Sequence, residues 1–172
     1  TEYSDYINLK SEMLTYDFNI SDSNTIFVNS SYTGDEELGT QSNPFKTITS
    51  AYNCFINDTN SKTNIFLADG TYTTTGRMTI NKNLNLIGQS TLNTIINGEG
   101  NRYNNGIFFI TPQMGYLAIV SPWVNFVNLT FTGGNSYYGG AVYVNQSAVN
   151  FVYSRFKKNK ANDYYDYTTR RT

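Results

Sequence analysis

Val124-Asn125-Phe126-Val127 returns 25 residues later as Val149-Asn150-Phe151-Val152. Phe131 returns as Phe156 at the same offset. Upstream, Gly115-Tyr116-Leu117-Ala118-Ile119 aligns with Gly140-Ala141-Val142-Tyr143-Val144. Residues 114–138 and 139–163 therefore read as two copies of one unit. Neither copy has a helical period, and each holds about three short strands. Strands this short cannot bury a face alone, but stacked copies can. The expected fold is all-β, a single-stranded parallel β-helix with one coil per copy and about 4.8 Å between coils. Val124 and Phe126 then point inward beneath Val149 and Phe151. An antiparallel β-sandwich is the competing architecture, with Gly133-Gly134 and Gly139-Gly140 as hairpin turns. The preserved register favours the β-helix.

The rest of the chain fits a stack of short strands. Asn, Thr and Ser make up 60 of 172 residues, and aromatic residues 16%. Thr, Tyr and Phe favour strands, while Asn and Gly favour corners. Strand signals fall at Thr25–Asn29, Ile65–Ala68, Met78–Ile80, Leu84–Gly88, Thr94–Gly98, Ile107–Ile110 and Tyr116–Val120. One helix interrupts them. Pro44 suits a first helical position after Ser42 or Asn43, and Phe45, Ile48, Tyr52 and Phe55 recur at helical spacing. This predicts a capping helix over residues 44–57. Residues 1–24 read as an N-terminal extension or cap, 25–163 as the β-helix, and 164–172 as a tail or incomplete coil.

Several chemistries are excluded by what is missing. The chain has no His, one Cys and a formal charge of −1. That removes the Ser-His-Asp triad, imidazole metal sites, intramolecular disulfides and Cys-rich zinc sites. Near-neutral charge argues against nucleic acid, which demands a basic stripe. The most apolar stretch, Ile107 to Val127, is broken by Pro112, Gln113, Pro122 and Asn125, so no membrane span is expected. Cys54 reads as a structural thiol beside Phe55. Asn-x-Ser/Thr triplets at Asn19, Asn29, Asn57, Asn128 and Asn145 are potential glycan acceptors if the chain is secreted. With the lone Cys and uncharged polar composition, they point to an extracellular or cell-surface location.

The segments Ile26-Phe27-Val28-Asn29, Gly39-Thr40, Asn43-Pro44-Phe45-Lys46-Thr47-Ile48, Ile65 to Tyr72 and Leu84 to Gly88 resemble the N-terminal start of right-handed parallel β-helix proteins of the pectate-lyase-like superfamily. Gly139-Gly140-Ala141-Val142-Tyr143, with Phe131 and Phe156, resembles the repeats of adhesin-like surface proteins of methanogenic archaea. The resemblance implies a right-handed coil stack begun by a short helix. It leaves function open, because that scaffold carries lyases, hydrolases, esterases and adhesins alike.

The residues themselves argue for binding over catalysis. A lyase resembling this fold holds Ca²⁺ on several carboxylates, and a glycosidase needs a carboxylate pair. Residues 74–163 contain only Glu99 and Asp163 as acids. Asp35, Glu36 and Glu37 form the sole acidic cluster and the one metal candidate; the plainer reading is a solvated turn. No catalytic residue and no cofactor are expected. Aromatic residues crowd the C-terminal third, and Trp123, Tyr137, Tyr138, Tyr153, Tyr164 and Tyr165 are the candidate binding residues. The expected partner is a glycan or protein on a host or neighbouring cell. The alternatives are a degenerate polysaccharide-lyase-like domain, and homotypic association through an open C-terminal coil.

Overall fold

The computed structural model describes residues 20–57, 62–98, 106–114 and 119–162. Strand β1 (Thr25–Val28) precedes the helix α1 (Ile48–Asn57). The chain then makes repeated passes. The first holds β2 (Asn64–Leu67), β3 (Gly70–Thr73) and β4 (Met78–Ile80); the second holds β5 (Leu84–Gly88), β6 (Thr94–Asn97) and β7 (Phe108–Ile110). After a short excursion through β8 (Gln113–Met114) and β9 (Ile119–Val120), the third pass holds β10 (Trp123–Val127), β11 (Thr130–Thr132), β12 (Asn135–Ser136) and β13 (Val142–Val144). The last described pass holds β14 (Ala148–Val152), β15 (Arg155–Lys157) and β16 (Lys160–Ala161).

Strands at equivalent places in successive passes pair in parallel. Sheet A runs β1-β2-β5-β10-β14, sheet B runs β3-β6-β11-β15, and sheet C runs β4-β7-β13, with β12 and β16 as a further pair. Only β8 and β9 are antiparallel among the described strands. The 25-residue offset holds for three pairs: Phe126 opposite Phe151, Phe131 opposite Phe156, and Asn135 opposite Lys160.

Side chains alternate between two faces, and the inward columns make the core. Ile26, Ile65, Leu86 and Phe126 stand in register in sheet A, all fully buried. Tyr72, Ile96 and Phe131 do the same in sheet B. Phe108 joins them from sheet C, stacking on Phe126 at 5.3 Å and meeting Phe131 edge-on at 6.2 Å. Burying one such ring stabilises the fold by about 2–3 kcal/mol. Burial also pushes the Tyr72 phenol above its ordinary value. It stays neutral and donates to the carbonyls of Ala68 (2.7 Å) and Val28 (3.2 Å).

Outward on sheet A runs an amide ladder. Asn150 Nδ2 donates to Asn125 Oδ1 at 2.8 Å, Asn125 to Asn85 at 2.8 Å, and Asn85 to Asn64 at 2.9 Å. The corners repeat as well. Asn128 (φ 54°) and Tyr153 (φ 48°) adopt left-handed backbone 25 residues apart, as do Gly133 (φ 69°) and Lys158 (φ 55°).

Two expectations need correction. The helix begins at Ile48, after the 44–57 segment's first turn. Phe45 is held against β1 instead: its N–H donates to Phe27 O (2.9 Å) and its carbonyl accepts from Asn29 N–H (2.8 Å). These bonds, with Phe27 N–H to Gly39 O at 2.9 Å, satisfy the outer edge of β1. Thr47 then caps the helix, its Oγ1 accepting from Ser50 N–H at 3.1 Å. Ile48, Ala51, Tyr52 and Phe55 face the core, and Cys54 packs partly buried against it. Second, Gly140–Val144 does not align with Gly115–Ile119. Val142 pairs with Phe108, 34 positions earlier. Phe108 and Ile110 supply the inward column that this place requires, whereas Ile119 and Val120 are both exposed in the antiparallel excursion.

Candidate functional site

The candidate binding residues land in different places. Trp123 starts β10, points away from the core and is 38% exposed, its backbone N–H donating to Asn83 Oδ1 at 3.0 Å. Tyr153 sits at the left-handed corner between sheets A and B, where its carbonyl accepts from Thr91 Oγ1 at 2.7 Å. Tyr137 and Tyr138 lie in the loop between β12 and β13. Tyr164 and Tyr165 lie outside the described residues. These positions do not form one patch.

One aromatic surface does form, on the outward face of sheet C. Ile80, Ile110 and Phe108 are fully buried, so the residues between them point the other way. Those are Thr79, Phe109 and Tyr143, in register across three passes. The rings of Phe109 and Tyr143 lie parallel, 5.0 Å apart at 6°. Tyr138 leans on Tyr143 at 5.7 Å and is 54% exposed. The loop that carries it is closed by glycines: a Cβ on Gly134 would lie 2.0 Å from the Gly140 carbonyl oxygen. On the other side, the Arg77 guanidinium sits 4.9 Å from the Phe109 ring centroid. Its buried NH1 has no hydrogen-bond partner among the described residues. The four side chains thus present flat apolar rings beside a planar cation with spare donor capacity.

Tyr138 was within reach of the sequence. Phe109 was not: in the run Ile107–Ile110, only the register with β4 shows which residues turn outward. Arg77 precedes a strand and carries no local motif.

A second concavity, a cleft of about 360 Å³, lies between the end of α1 and the β8/β9 excursion. Its titratable lining groups are Lys62 and Lys82, and both ammonium groups donate to backbone carbonyls, of Thr25 (3.4 Å) and Ile56 (3.2 Å). No carboxylate lines it.

The acidic cluster is spread out. Glu37 turns toward Lys46, accepting from its N–H at 2.9 Å and facing its ammonium at 3.9 Å. Asp35 and Glu36 stay exposed. Among the described residues no three acidic, Cys or His groups converge as a metal site. Asp69, a lone acid at the corner after β2, accepts from Ser90 Oγ (2.8 Å) and Thr94 Oγ1 (2.9 Å). Desolvation pushes its carboxyl up, but these hydrogen bonds outweigh it, and the net effect is a pKa below the ordinary value.

Of the glycan-acceptor candidates, Asn19 is outside the described residues. Asn29 Oδ1 accepts from Ser31 N–H, Asn57 is exposed at the helix end, and Asn128 and Asn145 sit at corners. No helix among the described residues is long and apolar enough to cross a membrane.

No curated protein and no solved structure matches the chain. One family model does, over residues 32–142, spanning the cap loop through the start of β13; it is described as "Protein of unknown function (DUF1565)", and the family is typically of parallel β-helix type. That span covers well over half of the 172 residues, and its parallel sheets agree with the family's type, so the chain belongs to the DUF1565 family.

Proposed function

We propose that the chain is a right-handed parallel β-helix module of the adhesin-like kind, secreted or held at a cell surface. It attaches without catalysis to a glycan or protein of a host or neighbouring cell. The observation that carries this reading is the outward stack of Arg77, Phe109, Tyr143 and Tyr138. A solvent-facing column is least costly when polar, as Thr79 is one pass earlier in the same column. Rings in its place turn their edges outward, and the exposed Tyr138 offers apolar surface to the C–H face of a sugar or to a partner side chain. Arg77 adds a positive charge beside the rings.

The non-catalytic reading is supported by the scarcity of acid and base groups. Residues 70–162 contain one carboxylate, Glu99, and the chain has no His. Glycoside hydrolysis uses two carboxylates about 5–10 Å apart. The coil architecture is supported by three sheets visited in the same order on each of the first three passes and by the family's type.

A labelled protein screened on a glycan array and on intact cells tests the proposal. The comparison is with a Tyr138→Ala/Tyr143→Thr double variant, which restores Thr to the column. The expected result is a reproducible ligand bound at least tenfold more weakly by a variant that keeps its melting temperature within a few degrees. An empty screen, or a ligand bound equally by both proteins, refutes it.

A further inference from the structure

Charge is segregated along the stack. Among the described residues, 20–57 carry four acids against one base, while 106–162 carry four bases and no acid. Strands β1 and β14 are the two edges of sheet A. The two charge groups therefore sit at opposite ends, about 19 Å apart over four strand spacings.

Each end also exposes apolar surface. At the β1 end, the cap loop shows Asp35 and Glu36 to solvent, with Leu38 beside them 59% exposed. Asp22 is tied to the same loop through Gln41 N–H (3.0 Å). At the far end, Arg155, Lys157, Lys158 and Lys160 are all exposed. The same pass exposes Phe151 and Phe156, 41% and 50% respectively. Both continue core columns whose earlier members are buried: Phe151 stacks on Phe126 at 5.3 Å and Phe156 on Phe131 at 5.0 Å.

We propose that the protein associates head to tail, the acidic cap loop of one copy seated on the basic last pass of the next. Leu38 then meets Phe151 and Phe156, while Asp35 and Glu36 meet the Lys and Arg groups around them. Complementary charge selects this arrangement. A two-fold pairing of two last passes would set eight cations against each other. The contact is made by side chains and does not extend the sheet, because the Gly39–Phe45 segment already occupies the outer edge of β1. It uses a different surface on each copy and leaves one of each free, so it propagates into chains. The proposal is independent of what sheet C binds.

Sedimentation velocity of the full chain tests it. At low salt the weight-average mass should at least double as concentration rises, and should return to that of the monomer near 0.5 M salt. Asp35→Lys/Glu36→Lys and Lys157→Glu/Lys160→Glu should each be monomeric at low salt, with circular dichroism spectra like that of the parent. Their equimolar mixture should regain association, since the unaltered acidic end of one variant then meets the unaltered basic end of the other. A parent that stays monomeric, variants that associate as it does, or a mixture that stays monomeric overturns the proposal.

Discussion

Replacing Asn85 by Ala removes the middle of the amide ladder. Asn85 donates to Asn64 at 2.9 Å and accepts from Asn125 at 2.8 Å, so one truncation breaks two hydrogen bonds. Each contributes about 0.5–1.5 kcal/mol net. The stranded partners differ. Asn64 is buried, and its carbonyl oxygen is left with only the long bond from Thr63 Oγ1 at 3.4 Å; that adds about 1–3 kcal/mol. Asn125 is only partly buried and recovers hydration. The total is about 2–6 kcal/mol, a fall in melting temperature of roughly 4–24 °C for a chain of this length. Asn150→Ala removes one bond at the exposed end of the ladder and should cost about 0.5–1 kcal/mol. Urea unfolding followed by circular dichroism measures both. Asn85→Asp adds a pH signature: its carboxylate faces the Asn64 oxygen, but its protonated form can donate there. Its deficit relative to the parent should therefore shrink as pH falls toward 4. Equal, small losses for Asn85→Ala and Asn150→Ala, or a pH-independent Asn85→Asp deficit, would refute a ladder that stabilises the sheet.

Further expectations concern caps and corners. Thr47→Ala removes the acceptor for Ser50 N–H and should cost about 1 kcal/mol, read by thermal unfolding, with Thr47→Ser near neutral. The Asp69 carboxyl has a folded pKa below its ordinary value of 3.8. It contributes stability that is present above about pH 4 and lost as pH falls through the folded pKa; Asp69→Asn should flatten the stability profile between pH 4 and 2. Lys158 is strained at φ 55°, and Asn tolerates that conformation better, so Lys158→Asn should raise stability by up to about 1 kcal/mol in urea titrations.

The repeat at Val124 and Val149 was legible because like residues stack on like in register, and that register carries through β12 and β16. It was not legible upstream. There the excursion through β8 and β9 inserts residues between β7 and β10, and apolar identity alone does not say which strand faces the core. The start of the helix was hidden for a related reason. Phe45 has helical spacing to Ile48, but its backbone is claimed by the unpaired edge of β1, a tertiary demand that no local pattern encodes. The binding surface was half legible: the outward aromatic residues were anticipated as a class, but Phe109 and Arg77 are brought to Tyr143 and Tyr138 only by the pairing of β7 with β13. The exposure of Phe151 and Phe156 likewise follows from their being last in their columns among the described residues.

Parallel, in-register stacking of the passes underlies the whole account, and paired cysteines in a Cys54→Ala background test it most directly. Trp123 lies opposite Ala148 and Asn125 opposite Asn150, all on the outward face of sheet A. Both Trp123→Cys/Ala148→Cys and Asn125→Cys/Asn150→Cys should close disulfides under mild oxidation, since parallel neighbours lie within bridging distance. Trp123→Cys/Val152→Cys, which an antiparallel pairing of the same segments would bring together, should not. Closure of the Trp123/Val152 pair with failure of the Trp123/Ala148 pair would contradict the stacked-coil account.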